Sequence, residues 1–138
     1  MKKSGLLHPE LSHVIATLGH TDTLVIADAG LPIPDGVLRI DLAYTAGQPP
    51  FLSVLEAVLA ELEVEDATLA LETQTLTPKA FYKKVLGRLE GLPKVKKQGV
   101  HFISHEDFKI QTLQAKAVVR TGEFTPYANV ILQSGVVF

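Results

Sequence analysis

Three polar residues close short apolar runs in this chain. Asp28 follows Thr23-Leu-Val-Ile-Ala27, Glu72 follows the run from Ala67 to Leu71, and His105 follows Val100 to Ile103 after a single serine. In open α/β sheets, ligands bind beyond the carboxyl ends of the strands, so all three are placed to meet a small molecule. His20 lies on the turn that enters the first run, and topology within one chain does not put it beside them. A carboxylate accepts hydrogen bonds, while an imidazole takes or gives a proton near neutral pH. The chemistry these groups offer is general acid–base catalysis. The plainer alternatives are a turn or cap role for Asp28 and a solvated or structural role for Glu72, which is not assigned to the site.

The five histidines sort by position. His8 and His13 fall at the start and on the polar face of a first helix, and His101 alternates with Val100 and Phe102 in a strand. His20 and His105 each touch a helix end. His20 follows a helix C-terminus, with its partial negative charge, and His105 sits in a first turn after Ser104, with its partial positive charge. Two titratable groups in opposite fields form the pattern expected of an acid and base pair.

Other chemistries lack their signatures. The chain has no cysteine, which removes disulfides, thiolate metal sites and a cysteine nucleophile. Gly-x-Ser-x-Gly, a P-loop, a Gly-rich dinucleotide turn and histidine pairs at metal spacing are all missing. The loop after the first strand, Asp28-Ala-Gly-Leu-Pro-Ile-Pro34, carries prolines that block the helix a phosphate-binding turn needs. No cofactor and no metal are expected. The formal net charge is −2, and the one basic cluster, Lys94 to Lys97, reads as a solvated loop rather than a nucleic-acid footprint. The apolar stretches fall far short of the roughly 20 residues of a membrane span. No apolar segment follows the lysines of Met1-Lys2-Lys3, so no signal peptide is read and an intracellular protein is expected.

The elements that must position these residues follow from apolar spacing. Leu11, Val14, Ile15 and Leu18 mark a first helix, with Pro9 at its start and Gly19 at its stop. Phe51, Leu55, Val58 and Leu62 mark a second. Thr77-Pro78 is read as the cap and first turn of a third helix carrying Phe81, Val85 and Leu89 and closed by Gly91. Ser104 caps a short helix bearing Phe108 and Leu113. Strands are expected at Thr23 to Ala27, Val37 to Leu42, Ala67 to Leu71, Val100 to Ile103, Ala117 to Val119 and Val130 to Leu132. The alternation predicts one α/β domain over residues 1–138, a three-layer α/β/α structure with a mostly parallel, mixed sheet. No helical pattern separates the last two strands, so part of the sheet is expected to be antiparallel. Asn129 is the only asparagine in the chain, which singles it out.

Gly19-His20-Thr21-Asp22, Asp28-Ala29-Gly30-Leu31-Pro32-Ile33-Pro34, Ser104-His105-Glu106-Asp107-Phe108-Lys109 and Arg120-Thr-Gly-Glu-Phe-Thr-Pro-Tyr-Ala-Asn129 resemble, in order, the signatures of the ribose pyranases. The resemblance runs from Lys2 to Phe138. The related fucose mutarotases share the Gly-His and Asp elements, but the Leu31 to Pro34 loop is of the ribose type. The resemblance implies interconversion of the β-pyranose and β-furanose forms of D-ribose without a cofactor, in a cytoplasmic homo-oligomer, a decamer of two pentameric rings. It implies His20 as proton donor and Asp28, His105, Tyr127, Ala128 and Asn129 as sugar contacts. No functional residue is carried over to the segment from Thr73 to Gln98. A shared pocket is expected, with His20 and Asp28 from one chain and Tyr127 and Asn129 from its neighbour. The rival readings are mutarotation of another sugar such as L-fucose, a non-catalytic ribose-binding module and an inert oligomeric scaffold.

Overall fold

The computed structural model describes residues 1–138. In chain order the elements are α1 (Pro9–Thr17), β1 (Thr23–Ala27), β2 (Leu38–Asp41), α2 (Phe51–Leu59), β3 (Val64–Ala70), α3 (Thr73–Leu76), α4 (Lys79–Glu90), α5 (Pro93–Gln98), β4 (His101–Ile103), α6 (His105–Thr112), β5 (Ala117–Arg120) and β6 (Val130–Ser134). The six strands form one sheet in the order β2-β5-β1-β6-β3-β4. β5 pairs parallel with both β1 and β2, and β3 pairs parallel with β4. β6 is antiparallel to its neighbours β1 and β3. Five strands therefore run one way and β6 alone runs against them, which bears out the mixed α/β sheet. The last two strands are not neighbours, because β1 lies between them.

β1 is the centre of the molecule. Leu24, Val25, Ile26 and Ala27 have no exposed surface, as a continuous apolar run buried on both faces requires. Leu24 and Ile26 join the larger core, which α1, α2, α4 and α5 cover with Leu11, Phe51, Leu55, Val85, Leu89 and Val95. Val25 and Ala27 face a smaller core built with Phe108 of α6 and Leu31 of the proline loop. Phe108→Ala would remove the largest side chain of that second layer, at a cost of about 3–5 kcal/mol. No helix is long and apolar enough to cross a membrane.

Several local expectations are revised. Lys94 to Lys97 lies in α5, where Val95 is buried and anchors a short basic helix to the sheet. Thr77 does not cap α4. Pro78 occupies the cap position, and the buried Thr77 hydroxyl donates instead to Pro126 O at 2.9 Å. Leu113 ends α6 exposed, since Phe108 and Thr112 already fill the face it would have joined. His8 does cap α1, its Nδ1 accepting from Leu11 N at 3.2 Å.

Candidate functional site

Strand direction sorts the site residues between two edges of the sheet. Asp28 follows the end of β1, Glu72 the end of β3 and His105 the end of β4, while Asn129 immediately precedes the oppositely running β6. All four therefore reach the same edge.

Asp28 and Asn129 interlock. Asn129 Oδ1 accepts the Asp28 backbone N–H at 2.8 Å, and Asn129 Nδ2 donates to Asp28 Oδ2 at 2.9 Å. The other carboxylate oxygen accepts from Gly30 N at 2.9 Å, an Asx-type turn that starts the proline loop. Ala29 N donates to Glu123 O, and Arg120 Nε donates to Ala29 O at 3.0 Å while its other end reaches Asp41. The loop after β1 is thus stitched to the segment after β5. Gly122 is required there: a Cβ at that position would stand 2.2 Å from Gln48 O.

His105 is held by backbone and packing. Glu72 Oε2 accepts its N–H at 2.9 Å, and Ser104 Oγ accepts from Asp107 N, so two of the free amides of α6 are satisfied. The imidazole meets the Tyr127 ring edge-on at 5.0 Å and lies near-parallel to Phe108 at 6.4 Å. Its Nδ1 is buried without a partner, so ring packing rather than a bond at that nitrogen fixes it, and Nε2 is the polar atom it has left. Tyr127 has φ of 60°, a left-handed conformation that costs a non-glycine residue about 1–3 kcal/mol. Two buried threonines support that turn: Thr73 Oγ1 donates to Tyr127 O at 3.3 Å and Thr77 Oγ1 to Pro126 O.

Asp28, Leu31, Pro32, His105, Pro126 and Tyr127 line a cleft of about 290 Å³. A second hollow of about 410 Å³ adjoins it, sharing Asp28, Gly30 and Pro126 and extending to Arg120 and Phe124. The donor set comprises one carboxylate with lone pairs to spare, one imidazole and an aromatic ring with a polar tip. It suits a small neutral ligand rich in hydroxyl groups. No group of three or more His, Asp or Glu converges to hold a metal ion.

Of the residues singled out in sequence, Asp28, His105, Tyr127 and Asn129 come together within one chain. The expected division, with Asp28 from one subunit and Tyr127 and Asn129 from the next, is therefore corrected, because Asn129 bonds Asp28 of its own chain. Ala128 is 2% exposed and turns its methyl into the larger core, so only its backbone is left to offer a ligand. His20 is the outlier. It stands before β1, and five strand residues at about 3.3 Å each put roughly 17 Å between it and Asp28.

His20 has its own surroundings at that opposite edge. Its Nε2 lies 2.9 and 3.0 Å from the two carboxylate oxygens of Glu65, and 53% of its side chain is exposed. Glu65 also accepts from Gln133 Nε2 at 3.0 Å. Its carboxyl is held below its ordinary value of 4.5, first by the Gln133 hydrogen bond and then by His20, with partial burial opposing them. Asp66 makes a similar pair with the exposed His101 at 3.1 Å.

Sequence patterns do not point to Thr73, Thr77 or Arg120 as supports of the site, although the structure places all three there. Thr77 before Pro78 carries the mark of a helix cap, and nothing in the sequence signals that its hydroxyl serves a loop 49 residues away. Glu72, at a strand end, touches the site through the His105 backbone.

The chain matches the RbsD / FucU transport protein family over residues 1–137. It belongs to that family. Among RbsD/FucU relatives, a D-ribose pyranase of Geobacillus kaustophilus is 56% identical over 138 residues, covering all of this chain and 96% of the relative. A D-ribose pyranase of Vibrio cholerae serotype O1 is 52% identical over 143 residues, covering the whole of both. The solved structure of Bacillus subtilis RbsD complexed with D-ribose superposes with a TM-score of 0.85 at 47% identity over the full length of both chains. FucU from Bifidobacterium longum has a TM-score of 0.81 at 26% identity, covering 96% of this chain and 97% of that one. The RbsD/FucU architecture thus holds across relatives whose sequences have diverged widely.

Proposed function

We propose that this chain is a D-ribose pyranase, an isomerase that interconverts the six-membered and five-membered ring forms of free ribose. The observation that carries the reading is the interlocked Asp28 and Asn129, beside His105 and Tyr127, in a chain 47% identical to a protein solved with D-ribose. Full-length relatives named D-ribose pyranases, at 50–56% identity, support it.

The reaction needs a proton delivered to the ring oxygen and another removed from the anomeric hydroxyl. The C1–O5 bond then breaks to give the open aldehyde. Attack of the O4 hydroxyl on C1, with the proton transfers reversed, yields the furanose. His20 is the proton donor, and one histidine can serve both directions, a contribution of about 10²–10⁴ in rate. Asp28 accepts two sugar hydroxyls on its remaining lone pairs, His105 and Tyr127 hold the ring, and Asn129 keeps the Asp28 carboxylate aimed. The Ala128 contact is made through its backbone. No cofactor enters these steps.

His20 serves the cleft of a neighbouring subunit. Its half-exposed ring at the far edge of the sheet, away from the Asp28 cleft of its own chain, supports this. A cytoplasmic decamer of two pentameric rings supplies the head-to-tail contacts such a site requires.

The test is saturation-transfer NMR on equilibrated sugar. Added protein should speed pyranose–furanose exchange of D-ribose more than exchange of L-fucose. Equal or reversed acceleration would favour the fucose reading, to which the 26% identity with FucU lends less support. Ribose binding without any acceleration would favour a non-catalytic binding module.

A further inference from the structure

We propose that Glu65, braced by Gln133, is a positioning residue that grips His20 by Nε2 and leaves Nδ1 as the nitrogen that hands its proton to the sugar. This rests on the reading of His20 as the proton donor and adds which nitrogen acts and what aims it.

Both Glu65 oxygens lie within hydrogen-bond distance of His20 Nε2, at 2.9 and 3.0 Å. A carboxylate only accepts, so the nitrogen facing it must carry the hydrogen in the neutral ring and in the protonated one. The proton that comes and goes is therefore the one on Nδ1. Glu65 is a carboxylate at neutral pH, and two neighbouring elements fix it. Gln133 of β6 donates to Oε1, the Gln98 side chain of α5 reaches its carbonyl, and Lys94 of α5 adds positive charge nearby while pairing with Glu63 at 3.2 Å. Gly135 leaves the room: a Cβ there would stand 3.0 Å from Glu65 Cβ and 3.2 Å from Oε2.

The backbone beneath His20 is equally constrained. Gly19 N donates to Asp22 Oδ2 at 2.8 Å, and Thr21, at φ of 69°, donates to Ser134 O at 2.9 Å. Ser134 N donates back to Asp22 O at 2.8 Å. Asp22 in turn pairs with Lys116 at 3.4 Å. The turn is thus tied to the end of β6 at both sides, and Glu65 holds the ring that projects from it. A carboxylate that fixes the tautomer and orientation of an imidazole, without itself taking the proton, is an established catalytic arrangement.

The experiment combines Glu65→Ala and Glu65→Gln with His20→Ala. Folding is checked by circular dichroism and oligomeric state by mass spectrometry. In the parent background both Glu65 variants should lower kcat at least tenfold, a share of the about 10²–10⁴ that a positioned acid–base group supplies, with KM little changed. In the His20→Ala background, adding Glu65→Ala should cost nothing further, since a positioning residue acts only through the ring it positions. Nitrogen-15 NMR of the His20 ring should show Nε2 protonated in the neutral parent and tautomer averaging in Glu65→Ala. Parent-like kcat in folded Glu65 variants would overturn the proposal, and so would equal losses with and without His20. Parent-rate exchange by His20→Ala would remove the donor reading itself, a result distinct from failure of the Glu65 contact.

Discussion

Asn129 holds Asp28 at two points, its Oδ1 taking the backbone N–H at 2.8 Å and its Nδ2 giving a hydrogen to the carboxylate at 2.9 Å. The two residues are 101 apart in the chain and are joined because β1 and β6 are antiparallel neighbours. The side chain is 1% exposed, so neither bond can be replaced by solvent. An amide is the group of this shape that accepts from one partner and donates to the other.

Asn129→Asp keeps the shape and removes the donor. It sets two carboxylates against each other, which repel at neutral pH and make one of them easier to protonate as pH falls. We expect at least a tenfold loss of ribose exchange at neutral pH, partly recovered on acidification as one carboxyl becomes a donor again. Rate profiles of parent and variant from pH 4 to 8 check this, and a variant that stays parent-like throughout would show that the amide is dispensable.

Thr73 and Thr77 hold the Pro126-Tyr127 turn from below. Thr73→Val and Thr77→Val each remove a hydroxyl donor while conserving volume approximately. Each should cost about 1 kcal/mol of stability, the net worth of a neutral hydrogen bond. Because Tyr127 lines the sugar cleft, KM for ribose should rise more than kcat falls. Denaturant melts paired with exchange kinetics separate the two effects.

The fold's acid response should carry a mark of Glu65. Its carboxyl is depressed below 4.5 by Gln133 and His20, so the folded state releases that proton more readily than the unfolded chain does. The resulting stabilisation is present above the unfolded value and is lost as pH falls through the lower, folded one. Parent and Glu65→Gln should therefore differ in thermal midpoint at pH 7 and converge at pH 3. A gap that widens on acidification would contradict the assignment.

The strand-end rule found one edge of the sheet from sequence because β1, β3 and β4 are legible as apolar runs and point the same way. Asp28, Glu72 and His105 all lie where that rule puts them. What sequence could not yield was which residues share a chain. Tyr127 and Asn129 follow β5, and their meeting with Asp28 depends on β6 lying beside β1, an order that periodicity does not encode. The Thr73 and Thr77 hydroxyls and the grip of Glu65 on His20 were hidden for a related reason. Each is a side-chain contact across the fold, made by residue types that more often serve as caps or solvated charges.

The account turns on a sugar cleft from one subunit completed by His20 from the next. Complementation reads this directly. His20→Ala subunits keep an intact cleft, and Asp28→Asn subunits keep an intact donor, so each oligomer alone should exchange ribose far more slowly than the parent. After dissociation and equal mixing, a head-to-tail ring should regain activity at about a quarter of its sites, those pairing an intact cleft with an intact His20. Mixed oligomers that form, as seen by mass spectrometry, and regain activity near that fraction are the predicted result. Mixed oligomers that form and stay inactive would contradict it, because each chain would then be building its site alone.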